Sequence, residues 1–150
     1  MIRAMARAST YDAVALQVRV VGPDSPAPSA ADLRRLLLQR PVSRGRRDRL
    51  AHAAKVVASV GSRVVGLASF ERVNDEIRVH ELAFEPDVCF STQDILRQLL
   101  DALELACLAS GGRRLVLLPQ AVVAVSPLER LGYHLINEGC AGAWLEKTFA

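Results

Sequence analysis

Residues 77–86 of the chain read IRVHELAFEP, residues 94–112 read DILRQLLDALELACLASGG, and residues 115–118 read LVLL. The first stretch is rich in apolar and β-branched residues and stops at a proline, which predicts a strand over Ile77–Glu85. The second has the three- and four-residue apolar spacing of an amphipathic helix, which the glycine pair ends. The third is too short for a helix and too apolar for an exposed strand. It predicts an interior strand parallel to the first.

Two further strands precede this unit and turn tightly into it. Lys55–Val60 and Val64–Val73 are short runs of apolar and β-branched residues. The pair Gly61-Ser62 separates them, and Asn74-Asp75 separates the second from the strand that follows. Two-residue connections of this composition are typical of hairpin turns. This part of the chain therefore predicts a three-stranded antiparallel meander.

The two ends of the chain add further predicted strands and helices. They contain runs of β-branched residues and a segment with leucines on one helical face, which end at glycine or proline. These elements are a strand over 13–21, a helix from about residue 30 to Pro41, a helix over 121–131, and a hairpin of strands over 133–138 and 143–149. The order predicts one α+β domain over residues 1–150. Its central sheet is expected to be mixed and mostly antiparallel, with one parallel crossover and flanking helices.

Composition agrees with one packed domain and disfavours several function classes. The chain has 150 residues and a mass of 16.3 kDa, and 51% of its residues are hydrophobic. This length suits a single core, and this hydrophobic fraction excludes a disordered chain. Only 5% of the residues are aromatic, which disfavours modules that stack nucleobases on rings.

Targeting and cysteine patterns predict a reduced, cytoplasmic protein without a metal site. The N-terminus has no apolar run long enough for a signal peptide, and no stretch of about 18–20 apolar residues occurs that could span a membrane. Cys89, Cys107 and Cys140 are odd in number and far apart, with no histidine at ligand spacing. Neither a disulfide framework nor a zinc site is indicated.

Basic residues are concentrated in one segment. The formal net charge is only +3, which is mild for a nucleic-acid-binding domain of this size. Residues 43–50 nevertheless read SRGRRDRL and contain four arginines. A solvated face and an anion-attracting lip both explain such a segment, so both interpretations stay open. A nucleic-acid partner is the least favoured class.

The element order and two short phrases resemble a known family. HELAFEP at residues 80–86 precedes the long helix, and PLERLGY at residues 127–133 resembles the Phe-Tyr-Glu-Lys/Arg-Leu-Gly-Phe helix end of the GNAT superfamily of acyl-CoA-dependent N-acyltransferases. The closing Trp144–Lys147 resembles its last strand, and the similarity extends over residues 12–149. The resemblance implies a GNAT-like fold and transfer of an acetyl or acyl group from acyl-CoA, by direct attack, to an amine of a small molecule or a protein. Family members often pair across the closing hairpin, so a homodimer stays open.

The resemblance also implies where acyl-CoA would lie. In the family the central parallel strands splay, which here are Ile77–Glu85 and Leu115–Leu118. The pantetheine arm pairs with backbone groups of the first of them, beside Leu82, Ala83 and Phe84. Unpaired backbone groups within a sheet need such a partner.

The loop that holds the pyrophosphate departs from the family's pattern. The family has Arg/Gln-x-x-Gly-x-Gly/Ala where the long helix begins, so that backbone N–H groups surround the phosphates. Here Asp94 and Leu96 occupy the two glycine positions, and a carboxylate repels a nearby pyrophosphate. Alternatively, Asp94, Ser91 or Thr92 simply caps the helix. The candidate loop residues are Ser91, Thr92, Gln93, Asp94, Ile95 and Leu96.

Two catalytic positions of the family differ as well. The Tyr that commonly protonates the departing thiolate corresponds to Leu128, and the Asn often found after the fifth strand corresponds to Ala121. Neither replacement can donate a proton. Tyr133 corresponds to an aromatic packing residue of the family and is predicted to lie in the core.

A candidate base is nevertheless present. VHELAF at residues 79–84 resembles the Leu-His-x-Leu-Ala-Val phrase of arylalkylamine N-acetyltransferases, where the histidine faces the cleft. His80 is therefore the candidate base, since a neutral imidazole can take a proton from an ammonium group. Arg78 lies on the same strand face and cannot serve as a base. Glu81, predicted on the opposite face, is the reserve candidate.

Two functions remain from these observations. The first is an acyl-CoA-dependent N-acyltransferase that uses His80 or a water molecule as its base. The second is a catalytically inactive GNAT-fold module that senses a ligand or binds a protein. The strand and helix frame and His80 favour the first, whereas the missing glycines, tyrosine and asparagine favour the second.

Overall fold

The computed structural model of the chain describes residues 15–23, 29–36, 52–87, 89–121, 125–139 and 142–149. The arginine-rich segment 43–50, Cys140 and the start of the predicted opening strand lie outside the described residues. No helix within those ranges is long and apolar enough to cross a membrane.

The described residues form one sheet. Its strands are β1 (Leu16–Val21), β2 (Ala54–Val60), β3 (Arg63–Val73), β4 (Glu76–Phe84), β5 (Arg114–Leu117), β6 (His134–Asn137) and β7 (Ala143–Thr148). They lie in the order β1-β2-β3-β4-β5-β7-β6, and only β4 and β5 are parallel. The predicted α+β class, the meander, the parallel crossover and the closing hairpin are confirmed.

The described residues also form three helices, namely α1 (Ala30–Leu36), α2 (Thr92–Ala109) and α3 (Val125–Arg130). The long helix begins two residues earlier than Asp94, its predicted start. The helix predicted over residues 121–131 is shorter, because Ala121 instead ends a 3₁₀ turn that begins at Pro119. Pro127 lies in the first turn of α3, where its missing N–H costs no helical hydrogen bond.

Helix α2 covers one face of the sheet. Its Ile95, Leu99 and Leu103 are completely buried, as the apolar spacing predicts. Gly66 of β3 lies directly beneath, where a Cβ would stand 2.9 Å from Ile95 Cγ2 and 3.0 Å from Leu99 Cδ1. The glycine therefore permits the close approach of helix and sheet that fixes the position of α2.

Helix α1 lies on the opposite face. Leu36 packs against a small apolar cluster formed by β2, β3 and β4. Arg35 binds Glu85, just beyond β4, with 2.6 Å between Nε and Oε1, and Arg63 reaches the same oxygen at 3.0 Å. These ion pairs hold α1 beside the end of β4.

Candidate active site

Strands β4 and β5 separate partway along β4. Their pairing runs from Glu76 opposite Arg114 to Val79 opposite Leu117. The N–H of Leu118 donates to the Val79 carbonyl at 3.2 Å, and beyond it no described strand pairs with this edge of β4. We call residues 80–84 of β4, on the side facing away from β3, the open edge. It lies where the splayed strands were expected.

A β-bulge marks the start of the open edge. Ser69 of β3 pairs with Glu81, but the next residue, Phe70, pairs with Val79, so His80 is an extra residue in β4. Because alternate residues of β3 share a face, Glu81 lies on the same face as Arg78, which pairs with Glu71. The prediction that Glu81 points to the opposite face was wrong, since the bulge shifts the alternation by one residue.

His80 has a carboxylate partner that the motif comparison did not identify. Its Nε2 lies 3.0 Å from Oε1 of Glu71, and the His80 side chain is 37% exposed. This contact places His80 on the α1 face of the sheet. The two-residue turn Asn74-Asp75 fixes the hairpin register and puts Glu71 opposite Arg78. His80 follows Arg78 by two residues, so the register could have indicated that Glu71 and His80 are diagonal neighbours.

Glu81 belongs to a buried polar row that crosses three strands. In the register, Lys55 of β2, Ser69 of β3 and Glu81 of β4 are successive neighbours, and all three are buried. The Nζ of Lys55 donates to the Ala53 carbonyl at 2.8 Å, and burial lowers the pKa of Lys55. Of the two candidate bases, His80 is therefore the more accessible to a substrate.

The backbone of the open edge offers donors and acceptors from two residues. Glu85 N–H donates to the Val65 carbonyl of β3 at 3.0 Å. Because successive strand residues direct their backbone groups to alternate edges, those of Leu82 and Phe84 point away from β3. The backbone of Ala83 points toward β3, and its side chain packs in the apolar cluster beneath α1. Leu82 and Phe84 are thus the two of the three predicted residues that face the opening.

An apolar cavity of about 230 Å³ adjoins the open edge. It lies between the end of β4, the first turn of α2 and α3. Leu128, at the position where the family has its tyrosine, is almost fully buried and forms part of the wall. The lining residues are Leu82, Phe84, Thr92, Gln93, Leu96, Pro127 and Leu128.

A capping box closes the N-terminus of α2. Asp94 N–H donates to Ser91 Oγ at 3.2 Å, while the Asp94 carboxylate accepts from Ser91 Oγ at 2.9 Å and from Ser91 N–H at 3.3 Å. These hydrogen bonds lower the pKa of Asp94, and the charge of Arg97 adds to the effect. Ser91 and Asp94 therefore cap the helix, whereas the backbone N–H groups of Thr92 and Gln93 take no part in the box.

Two of the residues that the sequence singled out lie in the core. Ile95, a candidate loop residue, lies on the sheet-facing side of α2, where it is completely buried, and it does not line the cavity. Tyr133 is 1% exposed, and its hydroxyl has no hydrogen-bond partner in the described part of the chain. Burial, with a smaller contribution from Glu104, raises the pKa of Tyr133. The prediction that Tyr133 packs in the core is confirmed.

No protein-family model matches the chain, and no curated protein matches it in sequence. Solved structures do resemble it. The N-acetyltransferase PaiA of Thermoplasma acidophilum, solved with coenzyme A, matches with a TM-score of 0.64 over 90% of this chain and 99% of its own, at 13% identity. A GNAT-family protein of Desulfovibrio desulfuricans matches with a TM-score of 0.65 over 91% of this chain and 100% of its own, at 15% identity. An aminoglycoside 6′-acetyltransferase of type Ii matches with a TM-score of 0.62 over 88% of this chain and 96% of its own, at 19% identity.

Proposed function

The chain has the GNAT fold that its sequence predicts, and on this premise we propose that it transfers an acetyl or other acyl group from acyl-CoA to an amine. One observation carries the proposal. None of the described strands pairs with the backbone groups of Leu82 and Phe84 on the open edge of β4, which lies directly beside an apolar cavity and the N-terminus of α2. A ligand with an amide-containing arm and an anionic end complements such a surface.

The residues present fit acyl-CoA in most respects. Leu82 and Phe84 offer backbone hydrogen bonds to the pantetheine arm, and the apolar cavity would enclose it. The N–H groups of Thr92 and Gln93 lie at a helix N-terminus, which favours anions. Asp94 opposes this, because its ionised carboxylate lies at the same end. When bound, acyl-CoA would supply the acyl group activated as a thioester.

His80 is the proposed base. It takes one proton from the acceptor's ammonium group, after which the amine nitrogen bonds to the acyl carbon and the carbon–sulfur bond breaks. The second proton of the nitrogen passes to solvent as the amide forms. Glu71, 3.0 Å from His80 Nε2, stabilises the imidazolium cation that forms, as a carboxylate does beside any histidine that gains a proton. Leu128 cannot donate a proton, so in this proposal the departing thiolate is protonated by solvent.

The alternative function is a GNAT-fold module that binds a ligand or a protein without catalysis. It is favoured by two observations, namely the capping box at the expected phosphate loop and the buried Leu128 at the position of the family's tyrosine. Both functions would use the open edge and the apolar cavity, and they differ in whether the acyl group is transferred.

Thermal unfolding with acetyl-CoA, followed by a thiol-release assay, tests the proposal. A ligand that binds only the folded state raises the free energy of unfolding by about 2.7 kcal/mol at 100 times its Kd. We expect a clear increase in Tm at millimolar acetyl-CoA, and release of free thiol when a panel of small amines and amine-bearing peptides is added. No change in Tm would refute the proposal. An increase in Tm with no thiol release from any acceptor would favour the non-catalytic alternative.

A further inference from the structure

A second cavity lies directly beside the apolar cavity. It encloses about 200 Å³ between the first turns of α2 and the end of α3. Gln93, Leu96 and Pro127 line both cavities, so the two are immediate neighbours. Its other lining residues are Asp94, Arg97, Arg130 and Leu131. We call it the arginine cavity.

The two arginines of this cavity have no partner among the residues that the structure describes. Elsewhere in the described structure, Arg35 of α1 and Arg114 of β5 each bind a carboxylate, at 2.6 and 2.7 Å. In contrast, no hydrogen bond or ion pair within the described ranges engages the guanidinium groups of Arg97 and Arg130, although the charge of Arg97 acts on Asp94. Each guanidinium group carries five N–H donors and a permanent positive charge.

The charges around the arginine cavity favour an anion. Arg97 and Arg130 contribute two positive charges, and Asp94 contributes one negative charge, which leaves one net positive charge. The Asp94 carboxylate is already bound to Ser91 in the capping box, because its Oδ2 accepts from both the N–H and the Oγ of Ser91. A negatively charged group in this cavity would therefore meet donors on both α2 and α3.

We propose that Arg97 and Arg130 bind the phosphate groups of the acyl-CoA and compensate for the two loop glycines that this chain lacks. The inference rests on the proposed function. Guanidinium groups bind phosphate oxygens through paired, charge-assisted N–H donors, and they do so without the close backbone approach that glycines provide. Because the two cavities adjoin, one ligand can place its pantetheine arm in the apolar cavity and its phosphates in the arginine cavity.

Isothermal titration with three ligands and four variants tests this assignment. The ligands are coenzyme A, dephospho-coenzyme A and pantetheine, which carry successively fewer phosphates. The variants are Arg97→Gln, Arg130→Gln, the double variant, and Arg19→Gln as a control that removes the same charge from the exposed surface of β1. We expect Arg97→Gln and Arg130→Gln each to weaken coenzyme A binding about 10-fold or more, because each removes hydrogen bonds to a charged group.

Pantetheine separates this inference from the proposed function. Its affinity is expected to be the same in all variants, and raising the salt concentration should weaken coenzyme A binding less in the double variant than in the wild type. If the wild type binds coenzyme A and the two variants match Arg19→Gln, the arginine assignment is overturned and the proposed function stands. Equal losses for pantetheine and coenzyme A would also overturn the assignment. If the wild type binds none of the three ligands, both proposals are overturned.

Discussion

The first half of β4, Glu76–Val79, has a strand on each side, whereas the second half, His80–Phe84, pairs only with β3 among the described strands. In the first half, Glu76 is buried and binds Arg78 and Arg114 at 2.7 Å each. Every side of this half is thus engaged by protein. The second half has one edge toward a cavity. The same strand is therefore paired on both edges at one end, whereas at the other end none of the described strands pairs with its second edge.

The difference between the halves has a local cause in β5. That strand has only four residues, and Pro119 lies two residues after its last residue, Leu117. Proline lacks an N–H and cannot continue the pairing along β4. The bulge at His80 begins where the pairing of β4 with β5 ends. It shifts by one residue the order in which the following side chains of β4 alternate between the two faces of the sheet.

Removal of the proposed base from the second half is expected to have the largest effect. His80→Ala should lower kcat by about 100-fold to 10,000-fold, the usual contribution of a general base, with little change in the KM for acetyl-CoA. Steady-state thiol-release kinetics measure both values. Glu71→Gln should lower kcat by a smaller factor, also at constant KM, because Gln cannot compensate the charge of the imidazolium.

The matched control for His80 is His134→Ala, since His134 is exposed on β6. Its kinetics should equal those of the wild type. Equal turnover in His80→Ala and His134→Ala would exclude His80 from the mechanism, and the open half of β4 would then serve binding alone.

Truncation of a leucine in each region compares their contributions to stability. Leu117→Ala should lower the free energy of unfolding by about 3 kcal/mol, because Leu117 is completely buried opposite the first half. Leu82→Ala should cost less, because Leu82 borders a cavity, yet it should weaken acetyl-CoA binding. Urea unfolding and titration calorimetry measure the two quantities. Equal losses of stability, with acetyl-CoA binding untouched by Leu82→Ala, would remove the distinction between the halves.

The smallest effect is expected at Tyr133, which belongs to the core and not to the open half. Tyr133→Phe removes a buried hydroxyl without a partner in the described structure and should stabilise the fold by about 1 kcal/mol. Burial raises the pKa of Tyr133 above its ordinary value of 10.0, so above about pH 10 the unfolded chain loses this proton while the folded chain keeps it. Wild-type stability should therefore fall as the pH rises above 10, and less so in Tyr133→Phe. A large loss of activity in this variant would instead make Tyr133 a proton donor to the cleft.

The elements that decide the fold were readable because their patterns are local. The strand over Ile77–Glu85, the long helix and the strand over Leu115–Leu118 each carry an unmistakable apolar period, and the Asn74-Asp75 turn sets the hairpin register. The capping interpretation of Ser91 and Asp94 was also accessible, since a hydroxyl and a carboxylate three residues apart form a box within one turn.

The rest of the site depends on contacts between distant residues. No glycine or proline near His80 indicates the bulge, so the regular alternation of a strand predicted the wrong face for Glu81. Arg97 and Arg130 line one cavity only because α2 and α3 both border it, which no spacing within either helix reveals. The contact between His80 and Glu71 likewise spans a hairpin.

Amide hydrogen exchange at the two halves of β4, followed by NMR with and without acetyl-CoA, tests the central claim most directly. The N–H groups of Leu82 and Phe84 should exchange markedly more slowly when acetyl-CoA is present, because the ligand would then accept or shield them. The N–H groups of Ile77 and Ala83 are the internal controls and should be unaffected. Unchanged exchange at Leu82 and Phe84, under saturating acetyl-CoA, would contradict the claim that the open edge of β4 is the acyl-CoA binding site.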